Sequence, residues 1–245
     1  MIQYLCVAVP ALLAGLVQGV TGFGAGILLM MFYPFCFTMV ESSAMCQFLC
    51  AVLCISIVWR YRHYVCFRMC ILPLVFYFPV YLAAMRVAAG LNMDYLKPVL
   101  GIFLIVLAGY FILFDGKINI SANPGTAFVC SALAGIIDAF FGIGGPTMVV
   151  YFMSVLKEKK TYLGTIQIFF MTTNLYGTVI RTLTGQLTGG MIPPLAAGAV
   201  ALLLGAYVGS RVVDKIDIGK MKLLVYGVIG FAGAVTFIAG FLSPI

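Results

Sequence analysis

The sequence predicts an all-α, multi-pass membrane protein made of two related halves in inverted topology. Three observations carry that prediction. The 245-residue chain is 64% hydrophobic and only 9% charged, whereas soluble domains carry roughly 25% charged residues. Apolar runs near or above the ~18 residues that span hydrocarbon recur along its length. A glycine cluster, "GLVQGVTGFGAG" from Gly15 to Gly26, is answered by "GIIDAFFGIGGP" from Gly135 to Pro146.

Turn and charge signals cut the chain into ten apolar segments, near 3–20, 23–38, 42–59, 69–90, 95–114, 124–141, 143–156, 162–181, 191–211 and 221–242. The first lacks a positively charged start and runs into the glycine motif, so it reads as a retained helix and not a cleaved signal. The second and seventh are short, and each follows a glycine cluster. The third ends at "WRYRH", where Arg60 beside Trp59 reads as an interface anchor. The fifth is followed by "DGKINISANPG", the most polar connection. It divides the chain into a first repeat (1–114), a polar linker (115–124) and a second repeat (125–245).

Shifting the second half back by 120 residues without gaps aligns the clusters. Val9, Leu13, Ala14, Gly15, Gly22 and Gly24 meet Val129, Leu133, Ala134, Gly135, Gly142 and Gly144. Farther on, Phe32 meets Phe152, Gln47 meets Gln167 and Asp94 meets Asp214. Eleven of the fourteen basic residues lie in the connections near 60–68, 115–124, 157–161 and 211–222. If each glycine break were a kink in one crossing helix, these connections would fall on both membrane faces. If each break is a hairpin, all share one face, as the excess of Lys and Arg in cytoplasmic loops requires. The repeats are then inverted, with both termini outside. This loop bias also explains the net charge of +7, leaving nucleic acid no part as a partner.

Non-helical backbone at membrane depth is tolerated where it is buried in protein or lines a cavity. The amides that open a half-helix attract anions, and glycine lets a ligand approach closely. Thr21, Gly22, Phe23 and Gly24, with Gly142, Ile143, Gly144 and Gly145, are therefore candidate substrate-binding residues; close helix packing is the competing explanation. The paired "GFGAG" and "GIGGP" motifs, the size and the two-repeat layout resemble the sulfite exporter TauE/SafE family. That resemblance covers essentially the whole chain and implies a permease for sulfite, sulfonates or related small organic acids. The second cluster departs from the pattern by closing with Pro146, and the polar groups of the two repeats differ.

Gln18 in the first repeat corresponds to Asp138 in the second. An intramembrane carboxylate is costly and usually faces a cavity or a partner, which makes Asp138 a candidate proton carrier; a structural cap at the hairpin turn is the alternative. Gln167, Asn174, Thr178 and Arg181 share one face of the eighth segment. Their donors suit an oxyanion, so Gln47, Gln167, Asn174 and Arg181 join the candidate site. The same stripe could instead bind helices together.

The resulting expectation is a secondary transporter in the cell membrane that moves a small anion by alternating access, with proton coupling through Asp138. A passive anion channel and a non-transporting assembly factor are the alternatives. An enzyme is disfavoured, because there is one histidine (His63), no paired-carboxylate or metal constellation and no nucleotide loop. The eight cysteines read as free buried thiols, without a zinc site or disulfide framework. Neither cofactor nor metal is expected. The partners are the anion, the bilayer and, as an open alternative, a second copy of the chain.

Overall fold

The computed structural model describes residues 2–91, 96–114, 123–212, 230–231, 233–235 and 237–238. Every regular element among them is helical: α1 (Ile2–Thr21), α2 (Ala25–Phe32), α3 (Met39–Tyr61), α4 (Phe67–Ala89), α5 (Lys97–Phe114), α6 (Pro124–Phe141), α7 (Gly145–Val155), α8 (Lys159–Leu183) and α9 (Ile192–Val212). These fall on the first nine predicted segments. Most of the tenth segment, most of the polar linker, the Asp94–Asp214 match, and Lys117, Lys215, Lys220 and Lys222 lie outside the described residues. Among the described residues, five helices, near 3–21, 39–64, 67–89, 124–141 and 189–211, are long and apolar enough to cross a membrane.

Local chemistry sets several boundaries. α3 starts with a capping box, in which the Glu41 amide donates to Thr38 Oγ1 at 3.3 Å and the Thr38 amide to Glu41 Oε2 at 3.0 Å. α6 starts the same way, its Thr126 amide donating to Asn123 Oδ1 at 2.8 Å with Pro124 in the first turn. α1 and α6 end in glycines of positive φ, Gly22 at 80° and Gly142 at 67°, a backbone region that side chains with a Cβ disfavour.

Both glycine breaks reverse the chain. Just past α2, Tyr33 Oη donates to Val7 O near the start of α1, at 3.2 Å, so α2 returns along α1. Across the second break, Ser131 Oγ on α6 meets Met148 Sδ on α7 at 3.7 Å. α2 has 8 residues and α7 has 11. At about 1.5 Å per residue, neither alone can cross ~30 Å of hydrocarbon.

The halves exchange partners. α1 packs on α9, α6 packs on α4, and α3 packs on α8 between them. Small residues permit these contacts. A Cβ on Gly15 would overlap Leu202 O and sit 2.9 Å from Ala206 N, and one on Gly135 would sit 3.1 Å from Tyr77 O and 3.2 Å from Tyr81 N. The pattern is the same in both halves, but its numbers correct the ungapped alignment. Gly15 and Gly135 differ by 120, whereas Tyr77 and Leu202 differ by 125, as do Tyr81 and Ala206. The slip arises between α3–α4 and α8–α9: α4 begins at Phe67 and α9 at Ile192.

Lipid offers no hydrophobic drive between helices, so close backbone approach supplies the packing. Gly205 lies against Leu12 O, where any Cβ would collide. Gly205→Val should therefore lower stability by about 1–3 kcal/mol. Gly189→Ala, with nothing within 4 Å of the added carbon, should be neutral. Thermal unfolding midpoints of the two variants in detergent check this; equal midpoints would mean that α1 and α9 do not need the close contact.

Candidate functional site

The two hairpin tips are built alike. At the first, the Gly22 amide donates to Gln18 O at 2.8 Å, and Gln18 Oε1 reaches over the turn to accept from the Ala25 amide at 3.1 Å. At the second, the Gly142 amide donates to Asp138 O at 2.8 Å, and Asp138 Oδ1 accepts from the Gly144 amide at 3.1 Å. The last turn of the long helix thus holds the opening amide of the short one, which has no partner within its own helix. Thr21 adds a tie of the same sort, its hydroxyl lying 2.8 Å from Val17 O and 2.6 Å from Phe23 O.

Between the tips lies a cavity of about 40 Å³, lined by Gln18, Phe23, Gly24, Tyr77, Asp138, Gly142, Ile143, Gly144, Gly145 and Asn174, with Gly26, Ile27, Cys50, Cys54, Pro146, Phe169, Phe170 and Thr173. At ~10–15 Å³ per water, this conformation holds only a few water-sized guests. Asp138 is 2% exposed, and its Oδ2 accepts from the Tyr77 hydroxyl. Polar groups thus cluster at the tips, against a wall of aromatics and thiols.

Thr21, Gly22, Gln47, Gln167 and Arg181 do not line this cavity. The glutamines brace the hairpins from behind. Gln167 Nε2 donates to Gly22 O, and its Oε1 accepts from Gln18 Nε2 at 3.3 Å. Gln47 Oε1 accepts from Arg181 Nε at 2.8 Å and from Tyr81 Oη at 3.1 Å. Gly177 makes room for this amide, since a Cβ there would overlap it. Arg181 Nη2 donates to Ala139 O at 2.8 Å and Asp138 O at 3.3 Å, tying the end of α6.

The stripe on α8 therefore divides by function. Asn174 reaches the cavity, although its Nδ2 donates to Phe170 O at 2.7 Å. Thr178 is occupied by Asn174 O at 2.7 Å. Gln167 and Arg181 satisfy backbone carbonyls of the two hairpins. Sequence reasoning did not place Tyr77, Cys50, Cys54, Phe169, Phe170 or Thr173 at the site. The i, i+4 spacing of Cys50 and Cys54 marks a common face; Tyr77, in an apolar helix, carries no comparable signal.

A family model described as Sulfite exporter TauE/SafE matches residues 7–236. The chain belongs to this family. Neither a curated protein nor a solved structure matches it. Membership in TauE/SafE implies a membrane permease of the sulfite-exporter type, and with the apolar helices it marks a multi-pass membrane protein. Among the described residues no group of His, Cys, Asp and Glu is placed to hold a metal ion, and the cysteines are free thiols.

The glycines of this candidate site differ in what they permit. Gly24 has φ 102° with only Val17 nearby, at 3.5 Å. Alanine there meets backbone strain of about 1–2 kcal/mol. Gly144 has an ordinary φ of −76°, but an added Cβ would lie 2.9 Å from Asp138 Cβ and 3.0 Å from Ala134 O. Both alanine variants should remain folded in the membrane and lose anion binding at least tenfold, Gly24→Ala by distorting the turn and Gly144→Ala by displacing Asp138. Sulfite titration of the purified variants provides the check; wild-type affinity in both would assign these glycines to packing alone.

Proposed function

We propose that this TauE/SafE protein is a secondary transporter that moves a small anion, a sulfur oxyanion or small organic acid, by alternating access. One observation carries the reading: two helical hairpins converge on a single cavity, lined by Gly24 and Gly26 at the start of one short helix and Gly144 and Gly145 at the start of the other, beside the amides that Gln18 and Asp138 cap. Backbone amides at such ends favour negative charge, and broken helices meeting at the interface of two repeats are the usual architecture of a carrier's site.

The inverted arrangement has its own support. The exchanged packing of α1 on α9 and α6 on α4 is what a pseudo-two-fold relation between repeats would produce. Lys160 Nζ lies 5.1 Å from the centre of the Tyr64 ring, bringing two basic connections together at one end. In this reading that end is cytoplasmic and the neutral connection 184–191 is outside. Labelling of single cysteines at positions 158 and 186, in a background without the native thiols, should find them on opposite faces. Labelling from the same face would remove the inverted model.

Asp138 is the group proposed to carry a proton. It lines the cavity, is shielded from solvent and contacts the one substrate-facing phenol, Tyr77. Asp138→Asn keeps an oxygen to accept from the Gly144 amide and removes the titrating group. In proteoliposomes, wild-type protein should exchange labelled sulfite by counterflow, with uptake that responds to a pH gradient. The Asn variant should keep exchange but lose the response. A flux without counterflow would indicate a channel, and no flux of any small anion would favour an assembly role.

A further inference from the structure

Arg181 has a second environment that the hairpin site does not use. Its side chain is 2% exposed, and it borders a separate cavity of about 240 Å³. One wall of this cavity is apolar, with Val40, Met85 and Ala88; the other carries Arg181, Thr184 and Gln186. These residues come from the start of α3, the end of α4, the end of α8 and the connection beyond it. The cavity therefore belongs to the end of the molecule opposite the Lys160–Tyr64 contact.

A guanidinium has five N–H donors. Nε donates to Gln47, Nη2 to the carbonyls of Asp138 and Ala139, and Nη1 to Gln186 Oε1 at 2.7 Å. The Tyr81 hydroxyl also lies within hydrogen-bonding reach of the guanidinium. Every acceptor is neutral, and none of Arg181's hydrogen-bond partners among the described residues is a carboxylate. The Asp138 carboxylate is turned away, held by Tyr77 and the Gly144 amide. The Asp138 carboxylate acts on this cation only through space, and an anion in direct hydrogen-bond contact would further offset the cost of burying it.

We infer that this cavity is a second anion site, in which Arg181 and Gln186 bind the head of a small organic oxyanion, a sulfonate or carboxylate, and Met85 and Ala88 cover a short apolar tail. Its volume is six times that of the hairpin cavity (240 against 40 Å³), so it takes a ligand the hairpin cavity cannot hold in this conformation. The inference rests on the anion-permease reading for its place on the transport route: an anion captured here lies one side chain, Arg181, away from the end of α6 and the second hairpin.

Two probes separate the sites in the purified full-length protein: sodium sulfite for the hairpin cavity and sodium propanesulfonate for the Arg181 cavity. Gln186→Glu places a carboxylate beside Nη1 with little change of shape and supplies a built-in counter-ion. Ala88→Phe fills the apolar wall without touching the arginine. By calorimetric titration, wild-type protein should bind propanesulfonate, both variants should weaken it at least tenfold, and Gly24→Ala should leave it unchanged. Sulfite should show the reverse pattern, sensitive to Gly24→Ala and indifferent to Gln186→Glu. Thermal midpoints confirm that each variant is folded. Propanesulfonate binding that is lost in Gly24→Ala and kept in Gln186→Glu would overturn the second site. So would sulfite binding with no propanesulfonate binding, which would leave the permease reading intact. Propanesulfonate binding without sulfite binding would support the second site while removing the hairpin site. Binding of neither would end both.

Discussion

A helix interrupted inside hydrocarbon leaves amides and carbonyls that water cannot serve, and the interior of this protein is organised around satisfying them. An unpaired backbone group at membrane depth costs several kcal/mol, more than any single packing contact returns. At both breaks the opening amide of the short helix is taken by a side chain of the long one, Gln18 or Asp138. Gln167 takes Gly22 O, and Arg181 takes the last carbonyls of α6. Cys46 sits between the hairpins, its Sγ 3.5 Å from both Gly26 O and Gly142 O. These ties explain why α3 and α8 pack between the hairpins: they add polar side chains to those that Gln18 and Asp138 supply.

The two halves solve this problem with different charges. The first hairpin uses neutral amides throughout, Gln18 and Gln167. The second uses a carboxylate, Asp138, and a guanidinium, Arg181, whose counterpart at the 120-residue shift is Tyr61. The two hairpin tips are therefore tied alike while their charges differ. Under the transport reading, one hairpin offers amides without a competing charge. The other holds an acid, the group proposed to respond to protons.

Composition and glycine spacing made the helical class, the two glycine breaks and the glycines that line the cavity legible, because each follows from what lipid and backbone require. Side-chain direction was less legible. Helical periodicity shows that Gln167 and Arg181 share a face with Asn174, but not that this face meets hairpin carbonyls at two of those positions and a cavity at the third. The position of Gln47 depends on the missing side chain of Gly177, on a helix more than a hundred residues away. Tyr77 has no polar counterpart in the second half to reveal it. The 120-residue alignment also failed where a longer connection before α9 moves the contact to a 125-residue spacing, since loop length is free to vary while helix contacts are not.

Asp138 shows why burial alone is weak evidence of a coupling role. Its Oδ1 does at Gly144 what the neutral Gln18 does at Ala25, so capping explains a polar group at this position in either half. Capping does not explain the acid. A neutral amide performs the same task in the first hairpin, and charge carries a desolvation cost that a cap need not bear. Two features belong to the second hairpin alone: the Tyr77 hydroxyl donating to Oδ2, and the Arg181 guanidinium against the carbonyls at the end of the same helix. Both come from helices, α4 and α8, that also bind the rest of the site together. A proton arriving at Asp138 would alter the Tyr77 bond to Oδ2, a tie to α4 that has no equivalent at the first hairpin's Gln18. Under the proposed transport reading, that difference is what would let a proton act on one hairpin and not on the other.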